Sequence, residues 1–313
     1  RLEAIYDQFL TSMKHYNKHV LPHPNNSAPV EVEVAMIVKN INILDSSSTA
    51  ELQISLIQSW TDPRLVFDGF DSLVLTDELA HSIWTPRTTF QKQKSMDTVN
   101  GNAGRAFELY REGQIKCTES MKVTCPIDQS LQKFPFDNQE LITHLSSVYS
   151  DLDLIYSWKS TNPFTFDIGF GDNRLNVNGF TVPNVYIKTL TIQDYRSVQD
   201  TQTRSRSTIE MKMILSRESL PFLLRIFSPI TTLVLVSFLC LFIDPLLHST
   251  PRLILPSIIL VSIIFFVNQV SIYRIPETSY IKAIDVWMES EKEATLNQSR
   301  FSFQHPLQLS SSS

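Results

Sequence analysis

The chain has 313 residues, 42% of them hydrophobic and 19% charged, with a formal net charge of −5 and a sequence pI near 5.8. That balance argues against a nucleic-acid-binding protein, since there is no surplus of Lys and Arg to neutralise phosphates. The length admits more than one domain. The mean hydropathy of −0.05 averages two unlike regions: residues 1–216 are mixed and polar, and residues 220–288 are mostly apolar.

Arg1-Leu2-Glu3-Ala4 leads into a helix-like pattern rather than a charged end followed by an apolar core. An extracellular N-terminal region would therefore imply a signal already removed. Leu2, Ile5, Tyr6, Phe9, Leu10, Met13 and Tyr16 recur at helical spacing and predict an amphipathic helix over 1–20, ended by Pro22 and Pro24. Asn25 heads an Asn-x-Ser sequon, a glycosylation acceptor if the region is secreted. From Pro29 the pattern alternates, with Val30, Val32, Val34, Met36 and Val38 on one side of a strand. Further strands are predicted at 50–60, 105–111, 114–124, 141–148, 152–158, 185–193 and 207–216, which reads as a β-sandwich of about ten strands after one helix.

The apolar run from Leu220 to Ile243 is roughly the ~20 residues a helix needs to cross a ~30 Å hydrocarbon core. A second run, Leu253 to Val267, carries Pro256, Ser257 and Ser262, with Asn268 and Gln269 just beyond it; polar groups in such a helix face a partner helix or water. A third apolar stretch, 279–288, breaks into Glu289-Ser290-Glu291-Lys292-Glu293, which cannot cross a bilayer. The expected organisation is a mainly β domain over 1–216, an α-helical transmembrane bundle over 217–288 (helices at 220–243 and 253–272 and the start of a third at 279–288), and a polar tail over 289–313. The tail's end, Ser310 to Ser313, is low in complexity.

Of three cysteines, Cys240 lies in the first apolar run. Cys117 and Cys125 are eight residues apart, roughly 26 Å in a strand, against the ~5.5 Å Cα separation of a disulfide. No glycine or proline lies between them to form a hairpin, so no bridge is expected. No spacing suggests a zinc site, no nucleophile–base–acid set stands out, and seven glycines form no phosphate-cradling loop. Neither an enzyme nor a bound cofactor or metal is expected.

Five motifs occur in order: Trp60-Thr61-Asp62-Pro63-Arg64-Leu65, Ile83-Trp84-Thr85-Pro86, Phe134-Pro135-Phe136-Asp137-Asn138-Gln139, Ile214-Leu215-Ser216-Arg217, and Pro276-Glu277-Thr278-Ser279-Tyr280 running on to Ala283-Ile284-Asp285. Over roughly residues 1–288 the chain resembles the pentameric ligand-gated ion channels, the Cys-loop receptor superfamily. The resemblance implies a subunit of a homo- or heteropentamer in the plasma membrane, crossing it more than once with its N-terminal domain outside. A small-molecule agonist would bind between neighbouring sandwiches, and the second membrane helix would line a central pore. The alternative is a non-conducting or truncated modulatory subunit, motivated by the loss of apolar character after Met288.

Two departures matter. The family's second loop cysteine falls at Leu141, so the eponymous disulfide, which would contribute ~3 kcal/mol, is absent. Packing of Phe134, Pro135 and Phe136 against the membrane helices is expected to hold the loop instead. The aromatic cage that would attract an ammonium is also missing: its positions fall at Ser55, Gln91 and Ser147, with Phe90, Tyr149 and Tyr195 nearby as substitutes. This argues against a choline-like agonist. Arg204 and Arg206 would suit an anionic ligand, the plainer alternative being solvated surface arginines.

If Arg252 marks the cytoplasmic end of the pore helix, Ile254, Ile258, Val261, Phe265 and Asn268 form the stripe toward the axis, with Ile272 at the mouth. Such rings can gate by dewetting. A register displaced by one residue would instead select Leu255, Ile259, Ser262, Phe266 and Gln269. The family's junction logic makes Asp137 and Arg217 candidates for a buried ion pair, with Asp45 as a further participant. Trp60 and Trp84 read as core, and Asp62 with Arg64 as a structural pair.

Overall fold

The computed structural model describes residues 13–22, 28–44, 47–68, 71–91, 93, 95–98, 105–167, 176–177, 179–194, 204–242, 249–270 and 278–310. The chain divides into two compact units. One holds Arg1–Asp128 with Glu140–Leu215, and the other holds Gln129–Gln139 with Ser216–Ser313. The expected N-terminal helix lies mostly outside the described residues, as do Asn25, Asp45, Tyr195 and Ile272.

The first unit is a curled sheet of thirteen strands among the described residues. They are β1 (Val30–Leu44), β2 (Thr49–Thr61), β3 (Ser72–Val74), β4 (Thr88–Gln91), β5 (Ser95–Thr98), β6 (Arg105–Tyr110), β7 (Gln114–Asp128), β8 (Asn138–Ser147), β9 (Leu154–Trp158), β10 (Phe164–Phe166), β11 (Asn176–Val177), β12 (Phe180–Asp194) and β13 (Arg204–Arg217). The main path runs β10-β1-β2-β7-β8-β13-β12-β11. Strand β7 joins its two halves: residues 114–126 pair with β2, then Ile127 and Asp128 pair with Leu141 and Glu140 of β8.

The predicted alternation of β1 is present. Val30, Val32, Val34, Met36 and Val38 are all at most 3% exposed and face the core with Leu52, Ile54 and Leu56 of β2. A register shift between Val38 and Asn40 moves the inward position to Ile41, which is 1% exposed. Trp60 and Trp84 lie in the same core, rings edge to face with centroids 6.0 Å apart. The strands absent from the sequence reading are β3, β4, β5, β10 and β11. All are two to four residues long, too short for alternation to register, and each is defined by the neighbour it pairs with.

Gly113, between β6 and β7, has φ +79°, and a Cβ there would meet the carbonyl oxygen of Asp62 at 2.5 Å. The close approach is used: Asp62 N–H donates to Gly113 O at 2.9 Å. The Asp62 side chain, fully buried, accepts from Arg64 Nε (2.8 Å), Arg64 Nη2 (2.7 Å) and Tyr16 OH (2.8 Å), which ties the N-terminal segment to the sheet.

Among the described residues the second unit contains three long helices. Helix α1, here the whole run Leu220–Phe242, is helical throughout but passes through a π-turn at Leu223–Phe227 before its regular part, Ser228–Leu239. Pro229 has no N–H and crowds the carbonyl four residues back, and the wider turn just before it relieves that conflict. Helix α2 is Ser249–Val270 and α3 is Ala283–Ser310. Ile226, Ile230, Leu233 and Val234 of α1 meet Ile259, Ile263, Phe266 and Val267 of α2 and Ile284, Trp287 and Met288 of α3 in one apolar cluster. On each of the first two helices these positions follow i, i+4, i+7, i+8, a single helical face.

Among the described residues, α1 is the one helix long and apolar enough to cross a membrane, and the apolar part of α2, Ile254–Asn268, is shorter. The third helix does not stop where its apolar stretch stops. Helix α3 continues to Ser310 through the segment expected to be a polar tail, because Glu, Lys, Ala, Leu and Gln all have good helix propensity. Its outward positions include Glu289, Ser290, Glu293, Asn297 and Arg300. A charged residue at the centre of a membrane helix costs about 2.5–3.5 kcal/mol, so hydrocarbon is a poor neighbour for that face.

Candidate functional site

Three groups of candidate residues can be placed. The first is the set expected to meet a ligand. Ser55 on β2 is 4% exposed, and its hydroxyl shares a 3.0 Å hydrogen bond with that of Ser120 on β7. Gln91 on β4 donates from Nε2 to Ser146 Oγ at 2.8 Å. Ser147, 2% exposed, donates to the Pro86 carbonyl at 2.5 Å and accepts from the Tyr149 N–H at 3.2 Å. Each of these polar side chains is therefore engaged within the chain. Phe90 is 5% exposed and part of the core.

Tyr149 sits against Trp84 with ring centroids 5.8 Å apart, and its hydroxyl accepts from Trp84 Nε1 at 3.2 Å. Gln91, Ser147 and Tyr149 thus gather along β4 and the end of β8, whereas Ser55 belongs to the β2–β7 part of the sheet. Arg206 is half-buried on β13, and the side chain of Arg204 lies outside the described residues. The outward face beside Gln91 also holds a pair that the sequence did not disclose: His144 Nε2 and Glu210 Oε2 are 3.1 Å apart, bridging β8 and β13.

The second group is the loop Gln129–Gln139, which belongs with the helices. Its ends are closed by the Ile127–Leu141 and Asp128–Glu140 strand pairs. Leu141, standing where the family's cysteine would be, is fully buried. Asp137 and Arg217 form a bidentate pair, Nε to Oδ1 at 2.8 Å and Nη2 to Oδ2 at 3.2 Å, with side chains 0% and 4% exposed. Gln139 Nε2 adds a donor to Asp137 Oδ2 at 2.8 Å, so the carboxylate is held by two side chains. The Arg217 guanidinium also lies 4.9 Å from the centre of the Phe134 ring. Phe134, fully buried, packs edge to face on Phe222 of α1 at 5.0 Å, and Pro135, joined to it by a cis peptide, is buried beside it.

One expectation for this loop needs correction. Phe136 does not pack with Phe134 and Pro135 but is 58% exposed. A tight turn, Phe136 N–H to Lys133 O at 2.7 Å, throws it outward. Leu131, 2% exposed and within the helical cluster, takes the packing role instead. Its N–H donates to Tyr280 OH at 2.9 Å, and the N–H of Ala283 donates to Gln132 O at 2.8 Å, which fixes the start of α3 to the loop. The sequence signal for Leu131 was available, since it is the one apolar residue in Gln129–Lys133.

The third group is the stripe on α2. Ile254, Ile258, Val261 and Phe265 are 50%, 57%, 66% and 65% exposed, and Asn268 is exposed with them. Ile259 and Ile263, on the opposite face, are 7% and 0% exposed inside the cluster. Of the displaced stripe, Ile259 and Phe266 point into the bundle.

Cys117 and Cys125 are free thiols on the single continuous strand β7. Burial pushes the Cys117 thiol up to about 12, with the nearby Arg105 and Glu119 charges acting in opposite directions, and pushes Cys125 up to about 11. No cluster of three or more potential metal ligands occurs among the described residues.

Residues 3–219 match the family profile of the neurotransmitter-gated ion-channel ligand binding domain. The chain is 23% identical over 292 residues to a glutamate-gated chloride channel subunit beta of Haemonchus contortus, a span covering 88% of this chain and 64% of that one. It is 29% identical over 279 residues to the gamma-aminobutyric acid receptor subunit pi of Rattus norvegicus and of Bos taurus, covering 87% of this chain and 60% of each of those. The chain therefore spans less than two thirds of the length of these relatives.

Proposed function

We propose, because the chain belongs to the neurotransmitter-gated ion-channel ligand-binding domain family, that it is a subunit of a pentameric ligand-gated channel whose α2 helices line the central pore. The observation that carries the reading is the division of α2 into two faces. Ile259 and Ile263 close the bundle of one chain, leaving Ile254, Ile258, Val261, Phe265 and Asn268 unpartnered within it. A stripe of large apolar side chains ending in an amide supplies a hydrophobic constriction when repeated around an axis. The burial of Ile259 favours this register over the displaced one.

Agonist binding between neighbouring sandwiches follows from the same family reading. The named relatives respond to glutamate or gamma-aminobutyric acid, and we carry over the class alone: a small carboxylate-bearing agonist. In support, the family's aromatic positions are occupied here by Ser55, Gln91 and Ser147, and Arg206 lies on β13. The junction of Asp137, Arg217 and Phe134 serves as the coupling element, because a buried, bidentate pair transmits displacement of the strand rather than absorbing it. A second reading, a non-conducting partner subunit, is favoured by one observation, the polar outward face of α3.

The test is cysteine substitution at Ile258, Val261 and Phe265, with Ile263→Cys as the buried control, recording current during thiol-reagent application. Modification that changes current at the first three positions and not at Ile263 supports the pore. Silence from surface-expressed pentamers would replace it with the non-conducting reading.

A further inference from the structure

We propose that neighbouring copies of this chain are joined within the membrane by an ion pair, Arg225 of one copy with Glu289 of the next. The inference rests on the reading of the chain as a pentamer subunit, and it gives the polar face of α3 a partner.

Two contacts fix how α1 and α3 lie together. The rings of Phe227 and Trp287 have centroids 4.3 Å apart, and Ser237 Oγ donates to Gln298 Oε1 at 2.6 Å. Positions 227–237 of α1 therefore run parallel to positions 287–298 of α3, with Thr295 and Ser299 buried in the bundle. Helix α1 is long and apolar enough to cross a membrane, so the α3 residues beside it share its depth. Glu289, Ser290 and Glu293 come level with residues 229–233, inside the span rather than at its end. Ionisable side chains at such a depth pair with one another or face a polar surface, and do not stay in lipid.

Within one chain that pairing is incomplete. Arg225 and Glu293 are exposed, and among the described residues neither enters an ion pair. Glu289, its side chain 64% exposed, meets Lys292 of its own helix at 2.8 Å. Arg225 stands two positions before Phe227, and Glu289 two positions after Trp287. A helix turns by about 100° per residue, so both charges point away from the Phe227–Trp287 contact, toward opposite flanks of the bundle.

A ring turns these two flanks into one interface. With the α2 stripe toward the axis, α1 and α3 are the flanks of each bundle, and α1 of one copy meets α3 of the next. Rotation about an axis normal to the membrane changes no residue's depth, so positions level in one chain stay level across the junction. The two faces match in kind. Arg225 lies about one turn, ~6 Å, from the level of Glu289, a gap that two long side chains close, and guanidinium and carboxylate suit each other geometrically. Glu293 comes level with the exposed Thr231. Deeper still the α1 face is apolar, with Leu235 and Leu239 exposed, and Leu296 is exposed at the corresponding level of α3. Every copy carries both faces, so each junction repeats the pair and a closed ring leaves no Arg225 unmatched.

The experiment expresses the full chain in a cell membrane and reads assembly on a native gel after solubilisation. It compares Arg225→Glu, Glu289→Arg and the double exchange with the unaltered chain, which runs as a pentamer. Each single variant loses the pentamer band, because like charges then face each other, and the double exchange regains it. Co-expression of the two single variants, each with its own epitope tag, regains part of the band, and the recovered species carries both tags. There the reversed charge of one copy meets the reversed charge of the other. Single variants that assemble normally, or a loss that the double exchange or co-expression fails to repair, overturn the proposal. Repair by the double exchange alone would place the pair inside one chain. An unaltered chain that forms no pentamer overturns instead the subunit reading on which the proposal stands.

Discussion

Asp137 and Arg217 are joined twice, by main chain and by side chain: the Arg217 N–H donates to the Asp137 carbonyl at 3.2 Å while the guanidinium grips the carboxylate. Eighty positions apart in sequence, they make the loop and the start of α1 one piece. Replacing Asp137 by Asn or Arg217 by Met leaves a buried charge without its counter-charge, an effect of about 3–5 kcal/mol. We expect each single variant to lower the thermal stability of the solubilised protein sharply. The double variant should be milder than the sum, since neither charge is then stranded. Strict additivity would show that the two do not interact in the assembled protein.

Phe265 and Ile263 should respond in opposite ways. Phe265→Ser removes an exposed ring from the stripe and, on the pore reading, wets the constriction and raises resting leak at unchanged surface expression. Ile263→Ala opens a cavity in the cluster. It should reduce stability by about 2–5 kcal/mol if the site behaves like a soluble core, less if lipid contacts compensate, with no direct effect on ion passage. Leak currents and thermal unfolding, measured on both variants, decide.

Two glycines separate strain from collision. Gly113 and Gly179 both have positive φ, +79° and +88°, but a Cβ at Gly113 meets Asp62 O at 2.5 Å whereas one at Gly179 meets nothing within 4 Å. Gly179→Ala should cost about 1 kcal/mol from backbone strain alone. Gly113→Ala should cost several-fold more, because it pushes on the Asp62 hydrogen bonds as well. Equal melting temperatures for the two variants would contradict the crowded turn.

Alkaline pH offers a further check. The Cys117 and Cys125 thiols are raised from 9.0 to about 12 and about 11 in the folded protein. The unfolded chain gives up these protons first. Their contribution is therefore complete below pH 9 and is lost as pH rises from about 9 toward 12. Cys117→Ala and Cys125→Ala should flatten the stability profile over that window in chemical denaturation. Neither native thiol should react with a maleimide at pH 8, which keeps thiol scanning of α2 free of background from the sheet.

Long amphipathic strands and apolar helices were legible because burial imposes a period on them, as in β1 and β2. The pair Asp137–Arg217 was anticipated from motifs, not from any local pattern, since a contact across eighty residues leaves no periodic trace. Phe136 and Leu131 exchanged roles for a reason the sequence does not carry: a backbone turn at Lys133 decides which apolar side chain faces the helices. The His144–Glu210 bridge was equally hidden, because it depends on which residues of β8 and β13 come side by side. Helix α3 runs on beyond Met288 although hydropathy falls there, because Glu, Lys, Ala, Leu and Gln favour helix and Thr295 and Ser299 are buried along it, a contact that hydropathy does not register.

The π-turn at Leu223–Phe227 gives α1 one residue more than an uninterrupted α-repeat would hold. Excising a single residue there would restore the regular repeat while leaving Phe222 beside Phe134 and Ile230 within the cluster. The same excision inside Ser228–Leu239 would rotate everything on one side of it by about 100° and turn the apolar face away from α2. The wide turn is thus the position in this helix where chain length can change without changing what the helix faces.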